Sequence, residues 1–111
     1  MAVLAKVLIP GKTAESSQTT QYIADGVTTI IDKFTATNFS ASSATLSVNL
    51  VTASGSAGNG NLIVKTRTLL AGETYIFPEL TGQVLGASAF ISTLAGTATA
   101  INIRASGREI S

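Results

Sequence analysis

The sequence contains no cysteine, no histidine and no tryptophan, and only two prolines in 111 residues. Without cysteine, neither a disulfide framework nor a thiolate metal site can form. Without histidine, the chain lacks the commonest nitrogen ligand for metals and the side chain that titrates near neutral pH. A Ser-His-Asp arrangement is excluded for the same reason, although serines are plentiful. Charge is also scarce: Asp, Glu, Lys and Arg together make up 12% of the residues, roughly half the usual share. Seven basic against six acidic residues leave a net charge of +1, and no Lys/Arg cluster gives a footprint for nucleic acid.

Hydrophobic residues make up an ordinary 45%, and the uncharged remainder is mostly Ser, Thr, Gly and Ala. A surface of that kind hydrates poorly and repels itself little. We read it as surface that a partner covers. The length predicts a single domain spanning 1–111, long enough for one modest core. Leu80–Ile103 carries no charge, but Gly82, Gly86, Gly96, Gln83 and Asn102 make it too polar and too broken for a membrane-spanning helix. Near the N-terminus, the apolar run holding Lys6 stops at Pro10 and lacks the regions of a signal peptide. Synthesis in a cytoplasm, with no membrane association, is the expectation.

Period-two alternation is the main structural signal. Ile30, Asp32, Phe34 and Ala36 alternate with Ile31, Lys33, Thr35 and Thr37. After a Ser/Asn-rich turn, Leu46, Val48 and Leu50 alternate with Thr45, Ser47 and Asn49. This predicts a long central β-hairpin over Thr29–Ala53. Further strands are expected at Gln21–Ala24, Leu62–Leu69, Thr74–Phe77, Ser88–Leu94 and Thr97–Ala105, with Asp25-Gly26 as a hairpin turn. Lys65 and Arg67 should share one face of their strand, and Leu80–Leu85 could form one helical turn. Residues 1–10 read as an edge strand or a terminal arm, and 106–111 as a polar C-terminal tail. Seven to eight short strands at intervals near ten residues predict an all-β, antiparallel sandwich of jelly-roll type.

No constellation suggests catalysis or a cofactor. Asp25 and Glu73 fall in turns, Glu15 in a loop and Glu109 in the tail, so paired-carboxylate chemistry is disfavoured. The Gly-rich stretch Ala53–Gly60 lacks the lysine and the following helix of a phosphate loop. Asn38-Phe39-Ser40 matches a glycosylation sequon but has no secretory context. Asp32, Lys65, Arg67 and Arg104 lie mid-strand. They are either cross-strand ion pairs on a solvated face or contacts to a partner. Phe39, at the expected hairpin tip, is the best single anchor if exposed. The arm (Val3, Leu4, Lys6, Leu8, Pro10) and the tail (Arg108, Glu109) are candidates for strand addition to a neighbour. Deleting Met1–Pro10 is therefore expected to leave a folded domain that binds its partner poorly.

Several segments together carry a resemblance. These are Val-Leu-Ala-Lys-Val-Leu-Ile-Pro at 3–10, Ile-Asp-Lys-Phe-Thr-Ala-Thr-Asn at 31–38 and Ala-Gly-Glu-Thr-Tyr-Ile-Phe-Pro-Glu-Leu at 71–80. Gly-Gln-Val-Leu at 82–85 and Ile-Arg-Ala-Ser-Gly-Arg-Glu-Ile at 103–110 complete the set. With these segments the chain resembles small virion structural proteins of tailed bacteriophages, and most closely the capsid decoration or staple (cement) proteins of short-tailed phages. The resemblance implies a jelly-roll-like fold, no enzymatic activity, no cofactor and no small-molecule substrate. It also implies a homo-oligomer, a dimer foremost, on the outer surface of an icosahedral head. There the protein would be made in the bacterial cytoplasm and would clamp neighbouring subunits of the major capsid protein. Alternative roles are a head–tail connector, tail or fibre-base component, or a carbohydrate- or host-binding β module. The family has no contact motif that maps position by position onto this chain.

Overall fold

In the computed structural model, which describes residues 2–111, nine strands account for most of the chain. They are β1 (Val3–Thr13), β2 (Thr19–Ile23), β3 (Thr28–Asn38), β4 (Ala44–Val51), β5 (Leu62–Leu69), β6 (Thr74–Ile76), β7 (Val84–Leu85), β8 (Phe90–Ala95) and β9 (Ile101–Ile110). One sheet has the order β1-β9-β3-β6, with the short β7 also pairing β3, and the second has the order β2-β8-β4-β5. Every pairing is antiparallel. The pairs β1–β9, β2–β8, β3–β6 and β4–β5 are nested one inside the next, so the chain is a long ribbon folded back on itself. Rolling that ribbon brings β9 against β3 and β8 against β4. This is a jelly roll, an all-β antiparallel sandwich.

The predicted strands exist, but the central hairpin does not. β3 and β4 lie in different sheets, and the chain between them turns a corner across the core. Asn38 makes that corner. It is fully buried, and its amide nitrogen donates to the carbonyls of Ser42 (2.8 Å) and Leu69 (3.0 Å). Its amide oxygen accepts from the backbone N–H (2.9 Å) and hydroxyl (2.7 Å) of Ser40. These bonds turn the chain toward β5 instead of back along β3, and they leave no room for a glycan at this sequon. The turns at Asp25-Gly26 and Ala95-Gly96 likewise join strands of opposite sheets. Alternation records which face of a strand is buried, not which strand lies beside it. The tip of the nested ribbon is instead β4–β5, joined through residues 52–61.

Both ends of the chain are structural. Residues 106–110, expected as a tail, continue β9, which runs between β1 and β3. The stretch expected as an arm or an edge strand is an edge strand: β1 pairs β9 along its length. Its Leu8 and Ile9 are buried, so the expectation that deleting residues 1–10 leaves the domain intact is corrected for the described residues 2–10. In place of the helical turn expected at Leu80–Leu85, a turn at 78–82 leads into β7, which runs on along β3 in the same direction as β6.

Bulges break the period of two in several strands, and two of them decide which side chains face outward. In β3, a register shift between Ile31 and Lys33 inserts Asp32, so Thr29 and Ile31 point inward, then Phe34, Ala36 and Asn38. In β5, Val64 opposes Val48 and Arg67 opposes Leu46, so Lys65 and Thr66 stand against a single residue. Thr66 has φ of 46°, a strained value for a β-branched residue, and its freed N–H donates to Ser47 Oγ at 2.8 Å. The extra residue puts Lys65 outward and turns Arg67 inward, against the expectation that they share a face. The Arg67 guanidinium lies 3.8 Å from the centre of the Tyr75 ring. Tyr75 meets Phe77 edge-on at 4.7 Å, and Phe77 meets Phe34 at 5.3 Å. With Leu46, Ile91, Ile101 and Ile103, these rings form the core, each large side chain contributing roughly 1.5–3 kcal/mol by burial.

Candidate partner-binding face

The outer faces of the two sheets differ in one respect that matters for function. On the second sheet, the outward residues Ser47, Asn49 and Ser92 are buried because the chain itself covers them. Asn49 donates to Gly58 O (3.0 Å) and to Asn61 Oδ1 (2.7 Å), which pins the 52–61 loop over the strands. Gln18 donates to Ser92 Oγ at 2.8 Å from the other side. The Gly-rich loop is therefore a roof, held by amide side chains.

The outer face of the first sheet has no such cover. β9 forms its ridge, presenting Asn102, Arg104, Ser106, Arg108 and Ile110 outward, and the registers fix what lies beside each. Val3, Ile110 and Thr28 form one row, and Ala5, Arg108, Ile30 and Val84 the next. Then come Val7, Ser106 and Lys33, and after them Arg104, Thr35 and Ile76. Val3, Val7, Ile76 and Val84 are 54%, 43%, 51% and 59% exposed. These aliphatics stand on the two margins of the face, on β1 at one side and on β6 and β7 at the other, with the polar ridge of β9 between them. Strands of ten or eleven residues side by side give a plane of roughly 33 by 15 Å. That is the same order as the roughly 800 Å² per partner of a standard interface.

Charge on this face is organised. Arg108 grips Asp32 through Nε (3.1 and 3.2 Å) and Nη2 (2.9 Å). The Asp32 carboxylate raises the Arg108 pKa further. The bulge makes this pairing available by turning Asp32 outward. Lys33, Thr35, Arg104 and Ser106 line a shallow depression of about 190 Å³. A second depression, of about 340 Å³, continues it between Ala5, Val7, Asp32 and Ser106.

The sequence-derived contact residues divide accordingly. Val3, Arg104 and Arg108 stand together on the open face. Pro10 sits in a bulge of β1 where the register slips between Ile9 and Lys12, a place where a missing N–H costs no ladder bond. Leu4 and Lys6 belong to the same edge strand but point the other way, and Lys6 pairs with Glu109 at 3.3 Å. Leu8 is in the core and out of a partner's reach. Glu109 is occupied by Lys6 and by the Tyr22 hydroxyl. Phe39 is exposed, but at the β3–β4 corner rather than a hairpin tip. Lys65 is on the opposite sheet's outer side, beside the roofed loop, and Arg67 stacks inward. Sequence reasoning missed Lys33, Val7, Ile76 and Val84 as members of the face. Each looks unremarkable alone, and only the strand register brings them together.

Searches against protein-family models, curated proteins and solved structures find no match to this chain.

Proposed function

We propose that this protein is a non-enzymatic structural module of a bacteriophage virion, a decoration protein that sits on the outside of an assembled head. The open outer face of the first sheet carries this reading. It is open, edged with exposed aliphatics and uncovered by the chain's own loops, whereas the opposite face is roofed. The sequence resemblance to decoration proteins supplies the partner, the major capsid protein. A decoration protein needs only to prefer the assembled lattice over free subunits. Bridging two sites that become adjacent only in the shell achieves this through effective concentration. A two-fold dimer on a lattice two-fold would present the same patch twice. The uncapped edge of β1 offers a further contact by strand addition along Val3–Val7, before the bulges interrupt it.

The test is co-sedimentation of the purified protein with undecorated, expanded phage heads, with shell melting followed in parallel. Saturable binding in a fixed ratio to the major capsid protein, with a raised melting temperature, supports the proposal. No binding, with rings visible by electron microscopy, moves the assignment to the head–tail junction.

A further inference from the structure

We infer that the centre of the open face is a receptor for an acidic side chain of the partner, with Lys33 and Arg104 as its two cationic arms. The inference rests on the decoration reading and specifies the chemistry of the surface that is gripped. Thr35 lies directly opposite Arg104, and Ser106 directly opposite Lys33. The two cations are therefore diagonal neighbours on adjacent strands, and all four side chains line one depression. Diagonal sheet neighbours are within reach of long side chains, so two like charges are brought to one depression. The chain offers nothing against them. Among the described residues, the three ion pairs are Lys6–Glu109, Lys12–Glu15 and Arg108–Asp32. Asp32, the carboxylate next to Lys33 in the chain, has both oxygens held by Arg108.

The depression thus presents an ammonium, a guanidinium fork and two hydroxyls, a set suited to an acceptor-only ligand. A carboxylate matches it, because the planar fork takes its two oxygens side by side while the ammonium adds a point charge. Val7 ends the row of Lys33, and Ile76 ends the row of Arg104. A charged centre with aliphatic flanks that exclude water is the arrangement in which a buried ion pair dominates binding. The fitting partner segment carries an Asp or Glu with apolar residues to either side. Two cations are too few to hold a nucleic-acid backbone, which gains its affinity from many phosphate contacts.

The experiment compares native protein, Lys33→Glu, Arg104→Glu and Lys65→Glu for binding to undecorated heads at low and high salt. Lys65, on the other sheet, controls for net charge. Lys33→Glu and Arg104→Glu are each expected to weaken binding about 30-fold or more, and Lys65→Glu to leave it within about 3-fold. Each of the first two substitutions places an acid beside the remaining cation. Their thermal stability is therefore expected to hold or rise while binding falls, which separates a contact role from a folding defect. If native protein binds heads and the two variants bind equally well, the inference fails and the decoration role stands. Equal loss in all three variants reduces the effect to net charge and also overturns it. If native protein binds nucleic acid and no heads, both readings fall.

Discussion

The Tyr22 hydroxyl donates to Glu109 and accepts from Thr29 at 2.7 Å, joining β2 of the second sheet to β9 and β3 of the first. With its one proton directed at the carboxylate, the phenol leaves Thr29 as the donor of the other bond. Burial, reinforced by Glu109, pushes the Tyr22 pKa up to about 12. Between an ordinary tyrosine value near 10 and about 12, the unfolded chain has lost a proton that the folded chain keeps. Stability therefore falls across that window. Tyr22→Phe is expected to cost about 2 kcal/mol at neutral pH, for the two hydrogen bonds of the hydroxyl, and to reduce the alkaline loss. Urea midpoints of both proteins at pH 8 and pH 11.5 check this.

The acid side has the opposite sign. The Tyr22 hydroxyl, with help from Lys6, holds Glu109 below the usual carboxylate range. Lys12 and then Gln21 do the same for Glu15. The stabilisation is complete above the unfolded carboxylate value and is lost as pH falls through the lower folded values. Glu109→Gln should flatten the decline in melting temperature below about pH 4.5, relative to native protein. A decline that is unchanged in the variant would remove Glu109 from this account.

At the β3–β4 corner, Asn38→Ala removes four hydrogen bonds at a buried site and leaves two backbone carbonyls without this donor. A loss of about 3 kcal/mol is expected, at the upper end for an unsatisfied buried group. Asn38→Asp should cost a similar amount, because a carboxylate cannot donate to Ser42 and Leu69. Chemical unfolding at pH 7 measures both.

Gly107 and the β1 edge give the sharpest stability test. A Cβ at Gly107 would run into the Ile30 carbonyl oxygen and lie 3.0 Å from Leu8 Cδ1. Gly107→Ala is expected to destabilise by about 2 kcal/mol or more through overpacking, and Leu8→Ala in the same variant should add to that loss, because the main clash is with backbone. Removing residues 2–10 strips two buried side chains and one flank of β9. The truncated protein is expected to unfold or aggregate instead of persisting as a folded domain without binding. Its circular dichroism and sedimentation decide between these outcomes.

The class of the fold was legible because period-two alternation and turn residues are local signals. Leu62–Leu69 falls where the sequence puts it, and the second limb of the expected hairpin is a strand at Ala44–Val51. Partnership was not legible. Asn38 looks like any turn asparagine until Leu69, thirty-one positions away, supplies the carbonyl it bonds. The bulges at Asp32 and Thr66 were also hidden, since inserting one residue changes the inward parity without altering composition. That parity error is why Arg67 was placed with Lys65. The candidate face suffered most, since its rows are assembled from β1, β9, β3 and β6. Of that face, only Val3, Asp32, Arg104 and Arg108 could be singled out from the sequence.

β9 lies between β1 and β3 yet follows both in the chain. As the polypeptide leaves the ribosome, β1 has no neighbour to bond, and β3 has only the short β6 and β7, until Ile101–Ile110 has been made. The first sheet therefore cannot be joined into one during synthesis before β9 emerges. It closes in one late step, when the last long strand slides between two that have been waiting. Until then Ile31, Phe34 and Ile9 are exposed to whatever else is in the cell. Topology of this kind folds slowly, and the waiting strands are the period in which a chaperone would be needed most.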